Sequence, residues 1–348
     1  MRNIKNSLLL FFFLSGLIGV WACNGPLGVN DLPVDTGFPD DFPILMDTGG
    51  SGNGSVLTGF GGLQDQTATR AALDASSLRP IVFLHGNGGV AENWSVNSLG
   101  GAPGSQCLKD FLLNNGYTEA HLWGVSYMGE SPAGGDAQGV RSNIDDVRRF
   151  IDAVLEYTGA EKVDIIALSM GDQLARGYTL GFQSNGSFDT SDRRMEKVGS
   201  MILFSGGNYG LGSEVTDPDW DSNGSLWDLS ENNNFGRYDG ATMTAPGAIH
   251  YFSIFAEYDY PQRCYETYGA GAAAGLTATQ TTGTFNTSRL DDTDFLMLES
   301  DFGSYARYID RSDMGASELT FLKVYNHIYP IYDTEVFAAA NLLSRLNL

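Results

Sequence analysis

The fold of this chain is indicated most strongly by residues 163–171, which read VDIIALSMG. The first five of these residues are apolar apart from Asp164, which is typical of a strand that is covered on both faces of a sheet. Ser169 then stands between two small residues, Ala167 and Gly171, and a helical pattern follows. A tight turn between a strand and a helix needs small residues at these two positions. The stretch therefore predicts a nucleophile elbow that lifts the Ser169 hydroxyl above the sheet, although a serine that only caps the helix is the alternative.

Around this stretch, short apolar runs alternate with amphipathic helical patterns. Such alternation is typical of β-α-β units, so we predict an α/β fold with a mostly parallel sheet and helices on both faces. Two long segments rich in Gly, Asn, Thr and Asp, at about 206–247 and 265–317, interrupt the alternation. Loops at the carboxyl ends of parallel strands surround the ligand crevice, so we expect both segments to form cap insertions over a site. The predicted strands are 81–84, 121–126, 163–167, 198–204, 249–256 and 319–325, and the predicted helices are 108–115, 143–157, 172–180 and 333–346.

A glycine-rich loop follows the first predicted strand and reads HGNGG at residues 85–89. Glycines let the backbone approach a substrate closely and direct N–H groups toward it. No Lys-Ser or Lys-Thr pair follows, and the glycine spacing differs from the dinucleotide fingerprint, so a phosphate-binding loop of either kind is excluded. An oxyanion hole would instead take one N–H group from this loop, at Asn87, and another from Met170 after the serine.

Two further side chains are candidates for an acid and a base. The predicted strand at 249–256 runs into a turn with two carboxylates, Glu257 and Asp259, and a carboxylate in this place can orient a histidine. Asp259 fits better because it lies further into the turn, and Glu257 is the alternative. The chain has four histidines, of which only His327 follows Asp259. One known type of Ser-Asp-His triad has its residues in this order along the chain, with the serine first, the carboxylate second and the histidine last, as in Ser169, Asp259 and His327.

The composition excludes a nucleic-acid partner and allows one disulfide bond. The 348 residues include 20 basic and 42 acidic side chains, a formal net charge of −22, without a cluster of Lys and Arg. We therefore expect no nucleic-acid partner. Cys107 and Cys264 could form a disulfide if the chain is exported, or they could be two buried thiols.

The first residues are expected to be an export signal rather than part of the fold. A positively charged start precedes an apolar run and a small residue, so residues 1–22 predict a secretory signal peptide. Cys23 comes next and could be acylated, which would tether the chain to a membrane, or it could be incidental to ordinary cleavage. Residues 23–56 are rich in Gly, Pro, Asp and Ser and predict a flexible tether. The catalytic domain is then expected to span 57–348.

A possible metal site lies in the first of the two cap insertions. Residues 219–228 read DWDSNGSLWD, with oxygen-bearing side chains at alternate positions and a glycine at a sharp turn. This resembles the opening of a calcium loop, although Ser230 stands where an EF-hand would have its glutamate. A structural calcium ion that orders the cap is one interpretation, and an acidic exposed loop is the other. The candidate ligands are Asp219, Asp221, Asn223, Ser225 and Asp228.

Taken together, the motifs resemble those of a known family. The stretch VFLHGNGG at 82–89 and the pattern Ala-x-Ser-Met-Gly at 167–171 are similar to those of α/β-hydrolase lipases of class 2, and in particular to lipase-like extracellular polyhydroxyalkanoate depolymerases. The resemblance runs from about residue 79 onward and is specific at the motifs. It implies an α/β-hydrolase fold and hydrolysis of carboxylic esters by the three residues named above, without a catalytic cofactor. Many relatives carry a histidine where this chain has Leu168, beside the nucleophile.

These observations lead to one expected function and two alternatives. An exported serine carboxylic ester hydrolase, a lipase or esterase that works through an acyl-enzyme, fits all of the motifs. An extracellular polyester depolymerase would use the same residues on a polymer. A non-catalytic surface lipoprotein that binds through a hydrolase scaffold is the alternative of another class. We expect a monomer that meets an ester or polyester substrate outside a bacterial cell, either secreted or held at the outer surface through Cys23.

Overall fold

The computed structural model describes residues 36–48, 55–95, 106–127, 140–206, 249–256, 259, 263–264, 285–286, 294–298 and 327–348. For 263–264 and 285–286 only the backbone is described. Several predictions concern residues outside these ranges. They are the signal peptide, Cys23, the candidate calcium ligands, Glu257, the strand at 319–325 and most of the two cap insertions.

The described strands form one large sheet and one small one. They are β1 (Thr58–Phe60), β2 (Ile81–Leu84), β3 (Leu122–Ser126), β4 (Val163–Leu168), β5 (Val198–Phe204), β6 (His250–Ala256), β7 (Arg263–Cys264), β8 (Phe285–Asn286) and β9 (Asp294–Leu298). Seven of them make a sheet in the order β1-β3-β2-β4-β5-β6-β9, and β7 pairs with β8. Within the large sheet β1 is antiparallel to β3, and all the other neighbours are parallel. The carboxyl ends of β2, β4 and β5 therefore meet at one edge of the sheet.

Helices cover both faces of this sheet. They are α1 (Gln66–Asp74), α2 (Leu108–Leu113), α3 (Val140–Thr158), α4 (Met170–Leu180), α5 (Thr334–Ala339) and α6 (Leu342–Arg345). Successive residues of a strand point to opposite faces, so each strand contributes to two cores. Val82 and Ile165 pack in the core with α3 and α4, whereas Phe83 and Ile166 pack in the core with α2, α5 and α6. This double coverage is the reason why β4 is apolar almost throughout.

Most of the predicted strands and helices are found in the described ranges. The strands predicted at 81–84 and 198–204 have those limits in the structure. The helix predicted at 333–346 is instead two short helices, because Asn341 between them has a left-handed φ of 49°. No helix in the described part of the chain is long and apolar enough to cross a membrane.

The segment before β1 differs from the predicted tether at 23–56. Residues 36–48, which fall within that range, pack against the sheet. Phe42 is 5% exposed, and its ring centroid lies 5.2 Å from that of Trp123 and 6.3 Å from that of Phe150. A few aromatic side chains are enough to attach a Gly- and Pro-rich segment, because each buries a large apolar area. Composition averages over the segment and therefore misses them.

The second cap insertion also differs from its predicted extent of 265–317. Asp294–Leu298 is not cap material but β9, which runs parallel to β6 and is the last strand of the large sheet among the described residues. Only one of its residues is fully buried, so it lacks the continuous apolar run of the central strands. Its five residues stand among polar and glycine-rich neighbours, so the sequence pattern alone does not distinguish them from a loop.

Asp164 is a charged residue inside the buried run of β4, and it has a structural role. Its carboxylate accepts hydrogen bonds of 2.8 Å from Nε of Arg79 and from the backbone N–H groups of Ser200 and Asn347. Burial raises the pKa of Asp164, and the Arg79 guanidinium opposes that rise. The carboxylate thereby fastens the segment after α6 to the amino ends of the strands, away from Ser169.

Candidate active site

Ser169 lies in a strained turn between β4 and α4. Its φ of 55° and ψ of −118° lie in a region that residues other than glycine rarely adopt. Gly171 packs so closely against β2 that a Cβ atom there would lie 2.4 Å from the backbone O of Leu84. The turn therefore requires glycine at this position. Because α4 begins at Met170, its first N–H groups have no acceptor within the helix and lie at the serine.

Ser169, His327 and Asp259 are joined by hydrogen bonds. Oγ of Ser169 lies 2.9 Å from Nε2 of His327. On the other side of the ring, Nδ1 lies 2.9 Å from both carboxylate oxygens of Asp259. The three residues are 8%, 5% and 0% exposed in the order serine, histidine, aspartate, so water is largely excluded from the row. When Nδ1–H donates to the carboxylate, Nε2 carries the lone pair that can accept the hydroxyl proton.

The chain holds His327 in place through a contact that sequence reasoning missed. His327 precedes a short 3₁₀ turn, Tyr329–Tyr332. The hydroxyl of Tyr332 donates a 2.9 Å hydrogen bond to the backbone O of Asn93, which follows the glycine-rich loop. Its own backbone O accepts from the N–H of Gln106 at 3.0 Å. The histidine segment is thus attached to the region that follows β2, and an aromatic residue five positions after His327 is the only sequence signal for this.

The glycine-rich loop at 85–89 lies beside Ser169. A Cβ atom built on Gly86 would lie 3.1 Å from Cβ of Ser169, which is tighter than an ordinary contact. The loop folds back so that the N–H of Gly89 donates to the O of Gly86 at 3.0 Å. Gly88 has a φ of 68°, a conformation that glycine adopts at little cost. The backbone of the loop at Gly86 therefore approaches Ser169 closely.

The two predicted oxyanion donors stand on elements that meet at Ser169. Asn87 follows Gly86 directly within the glycine-rich loop, and Met170 is the first residue of α4. Leu168, the residue before the nucleophile, is 6% exposed and packs in the core on the α2 side of the sheet. Its Cδ2 atom would lie 3.7 Å from a Cβ on Gly86. An apolar side chain therefore fills the space between the nucleophile strand and the loop.

His85, the first residue of the loop, is a buried and neutral imidazole. It is 1% exposed, and its Nδ1 lies 2.8 Å from the backbone O of Gly86. Since a carbonyl oxygen can only accept, Nδ1 carries the proton of this hydrogen bond. Burial lowers the pKa of His85 to about 4. The ring therefore brings no positive charge to the site at neutral pH.

The lowered pKa of His85 predicts a loss of stability in acid. Its folded value of about 4 lies below the ordinary value of 6.5, so the unfolded chain binds a proton that the folded chain resists. The contribution of neutral His85 to the free energy of unfolding is fully present above pH 6.5. It is lost as the pH falls toward 4, by an amount on the order of 3 kcal/mol. We expect the free energy of unfolding in urea to decline over this range in the native protein. The decline should be smaller in His85→Phe, and equal declines in the two proteins would refute the assignment.

Asp172 is a second buried group beside the site that sequence reasoning missed. It stands three residues after Ser169, is 0% exposed, and neither of its carboxyl oxygens has a hydrogen-bond partner among the described residues. Burial raises the pKa of Asp172 well above its usual range, an effect that Arg176 one turn later only partly opposes. A Cβ on Gly206 would lie 1.8 Å from Oδ2, so the turn after β5 accommodates only glycine.

Two other predicted sites remain predictions. Cys107 is buried at the start of α2, where its Sγ accepts from the N–H of Asp110 at 3.4 Å, and burial raises the pKa of the thiol to about 11. The side chain of Cys264 is not described, so the disulfide is not tested. The calcium ligands at 219–228 lie outside the described residues. Within the described ranges, no group of three or more His, Cys, Asp or Glu side chains is placed to hold a metal ion.

The architecture and the geometry of Ser169 are those of the α/β-hydrolase fold. A mostly parallel sheet carries helices on both faces, and a serine stands on a strained turn between a central strand and a helix. Over residues 78–223 the chain matches the family model described as lipase (class 2). This region is therefore similar to lipases of class 2.

Solved structures with a similar fold include lipases and esterases. The lipase BlEst2 of Bacillus licheniformis in its propeptide form is 14% identical with a TM-score of 0.41, over 63% of this chain and 45% of that chain. Lipase B of Aspergillus fumigatus is 12% identical with a TM-score of 0.44, over 77% and 53%. Carboxylesterase CesB of Bacillus subtilis is 10% identical with a TM-score of 0.36, over 77% and 83%. The match thus spans about half the length of the first two proteins.

Proposed function

We propose that this protein is a serine carboxylic ester hydrolase that works through a Ser-Asp-His triad and an acyl-enzyme. The single observation that supports it best is the 2.9 Å separation between Oγ of Ser169 and Nε2 of His327, with Asp259 on the other ring nitrogen. Nucleophile and base are then within hydrogen-bond reach, and a third group orients the base. A buried serine that only capped α4 would not need hydrogen-bonded His327 and Asp259 side chains beside it.

Each residue has a defined part in the proposed reaction. His327 takes the proton of Ser169 as its oxygen attacks the ester carbonyl, and Asp259 stabilises the imidazolium that results. The backbone N–H groups of Asn87 and Met170 donate to the oxyanion of the tetrahedral intermediate. His327 then protonates the departing alcohol, which leaves the acyl group on Ser169. Water, activated by the same imidazole, releases the acid and restores the serine.

The proposed reaction needs no cofactor, because the side chains above supply the nucleophile, the base and the oxyanion donors. A calcium ion at 219–228 would order the cap rather than take part in these steps. We extend the proposal to an exported protein, on the basis of the signal-like pattern at 1–22, with Cys23 as a possible lipid anchor. Triacylglycerols and polyesters are both carboxylic esters, so both belong to the proposed substrate class.

A labelling experiment combined with a substrate series tests the proposal. We expect a fluorophosphonate probe to react with the native protein, and peptide mapping to find the adduct on Ser169. The native protein should also hydrolyse p-nitrophenyl esters, and a series from acetyl to palmitoyl then gives the acyl-chain preference. Clearing of a polyhydroxybutyrate film would identify a depolymerase. A folded protein that neither takes up the probe nor hydrolyses any of these esters would be a non-catalytic binding protein.

A further inference from the structure

His85 and Tyr127 form a buried pair at the start of the glycine-rich loop. Their ring centroids lie 3.9 Å apart and their planes differ by 7°, so the rings are stacked. The hydroxyl of Tyr127 also donates a hydrogen bond to the backbone O of His85. His85 in turn donates from Nδ1 to the backbone O of Gly86 at 2.8 Å. Tyr127 thus contacts both the ring and the backbone of His85, and His85 is hydrogen-bonded to the backbone of Gly86, the next residue of the loop.

The sheet itself places Tyr127, because this residue directly follows β3, the parallel neighbour of β2. Ser126, the residue before Tyr127, binds the chain just after the glycine-rich loop. Oγ of Ser126 accepts a 2.9 Å hydrogen bond from the N–H of Ala91, just past the loop. The glycine-rich loop is therefore fastened to the end of β3 at both of its ends.

The loop has little freedom to shift without disturbing the nucleophile. A Cβ on Gly86 would lie 3.1 Å from Cβ of Ser169, so the two backbones are almost in contact. The proposed oxyanion donor Asn87 is the next residue in this loop. Oxyanion donors are effective only within a few tenths of an ångström of hydrogen-bond distance from the developing charge.

We propose that the stacked pair of Tyr127 and His85 positions the oxyanion donor of the glycine-rich loop, with Tyr127 acting through His85. The inference rests on the proposed ester hydrolysis and adds two positioning residues to it. Neither side chain touches the reacting atoms. Their effect is to fix the N–H group of Asn87 before substrate binds, so that no reorganisation is needed as negative charge develops.

The pair keeps the same protonation over the neutral pH range. Burial, together with the nearby Asp172 carboxyl group, raises the pKa of Tyr127 well above its usual range, so the hydroxyl remains a donor. Burial lowers the pKa of His85 to about 4, so its ring remains neutral. The positioning role therefore predicts a change in rate without a change in the shape of the pH profile.

The substitution Tyr127→Phe tests the proposal in the full-length protein. It keeps the ring and removes the hydrogen bond to the O of His85. With a p-nitrophenyl ester as substrate, we expect kcat to fall about 10- to 100-fold, because a donor displaced by a fraction of an ångström loses much of its effect. KM should change by less than about twofold, since the ground-state contacts are untouched. Affinity for a boronic acid, which forms a tetrahedral adduct on the serine, should fall with kcat.

Tyr117→Phe is the matched control. Tyr117 is also a buried tyrosine, and its hydroxyl accepts a 2.8 Å hydrogen bond from Nδ2 of Asn347. It lies at the opposite end of the strands from Tyr127. We expect it to lose a similar amount of stability and to keep kcat within about twofold. His85→Phe is the second variant, which keeps an aromatic ring on Tyr127 and removes the donor to Gly86. If Tyr127→Phe does not fold, His85→Phe tests the proposal in its place, and it should lower kcat by a similar factor.

The outcomes separate this inference from the proposed function. If the native protein hydrolyses no ester, both fail together. If the native protein is active but Tyr127→Phe and His85→Phe behave like Tyr117→Phe, the proposed function stands and the positioning role is wrong. A rise in KM at constant kcat, or a shifted acid limb of the pH profile, would also overturn the role, since each would mean that the pair acts on binding or on the base.

Discussion

Replacing Ser169 by alanine is expected to lower kcat for ester hydrolysis by roughly 10⁶-fold, because the variant has no oxygen that can attack the carbonyl. The residual rate would come from the oxyanion donors and from substrate positioning alone. The free energy of unfolding should change by no more than about 1 kcal/mol, since only the hydrogen bond to His327 is lost. Steady-state kinetics with a p-nitrophenyl ester, together with a thermal melt, measures both quantities.

Ser200→Ala provides the control for this substitution. Ser200 is a buried serine in β5 whose Oγ has no hydrogen-bond partner among the described residues, and it stands toward the amino end of its strand. Its removal should leave kcat within about twofold of the native value. Substantial hydrolysis by a well-folded Ser169→Ala protein would show that another group is the nucleophile. Loss of activity in both variants would point instead to general damage of the fold.

Replacing Asp259 by asparagine is expected to lower kcat by roughly 10⁴-fold with little change in KM. The amide has nearly the same shape as the carboxylate, but its nitrogen is a donor. A donor facing Nδ1 of His327 favours the tautomer that carries its proton on Nε2. The ring would then donate to Ser169 and could not accept its proton. The rate of labelling by a fluorophosphonate should fall in parallel, which distinguishes a loss of nucleophile activation from a loss of substrate binding.

The other carboxylate candidate is the natural comparison. Glu257→Gln should have kcat within about twofold of the native protein if Asp259 orients the base. The opposite pattern, with the large loss in Glu257→Gln and little effect in Asp259→Asn, would assign the orienting role to Glu257. Both substitutions remove one negative charge, at positions two residues apart in the sequence, so a difference between the two variants reflects the position of the carboxylate and not the loss of charge.

The α/β fold could be predicted because its signals are local. A strand such as β4 must be apolar on both sides when helices cover the sheet, and a helix such as α3 must keep one face apolar, so each pattern is present within a few consecutive residues. Two segments escaped this reasoning. The strand β9 is too short and too exposed to show a pattern, and residues 36–48 are held by isolated aromatic side chains in a segment with a loop-like composition.

The amino-acid sequence alone determined the strand-to-helix turn at Ser169, the glycine-rich loop and the order of serine, carboxylate and histidine along the chain. These depend on steric requirements between neighbouring residues, which a short motif expresses. Only the tertiary structure decided that His327 reaches Ser169, that Tyr127 stacks on His85, and that the Asp172 carboxyl group is enclosed. Each of these pairs or enclosures involves elements far apart in the sequence, and their distances follow from how strands are ordered in the sheet. Burial, which sets the pKa of a group such as His85, is likewise a sum over many distant neighbours and leaves no trace in the residues next to it.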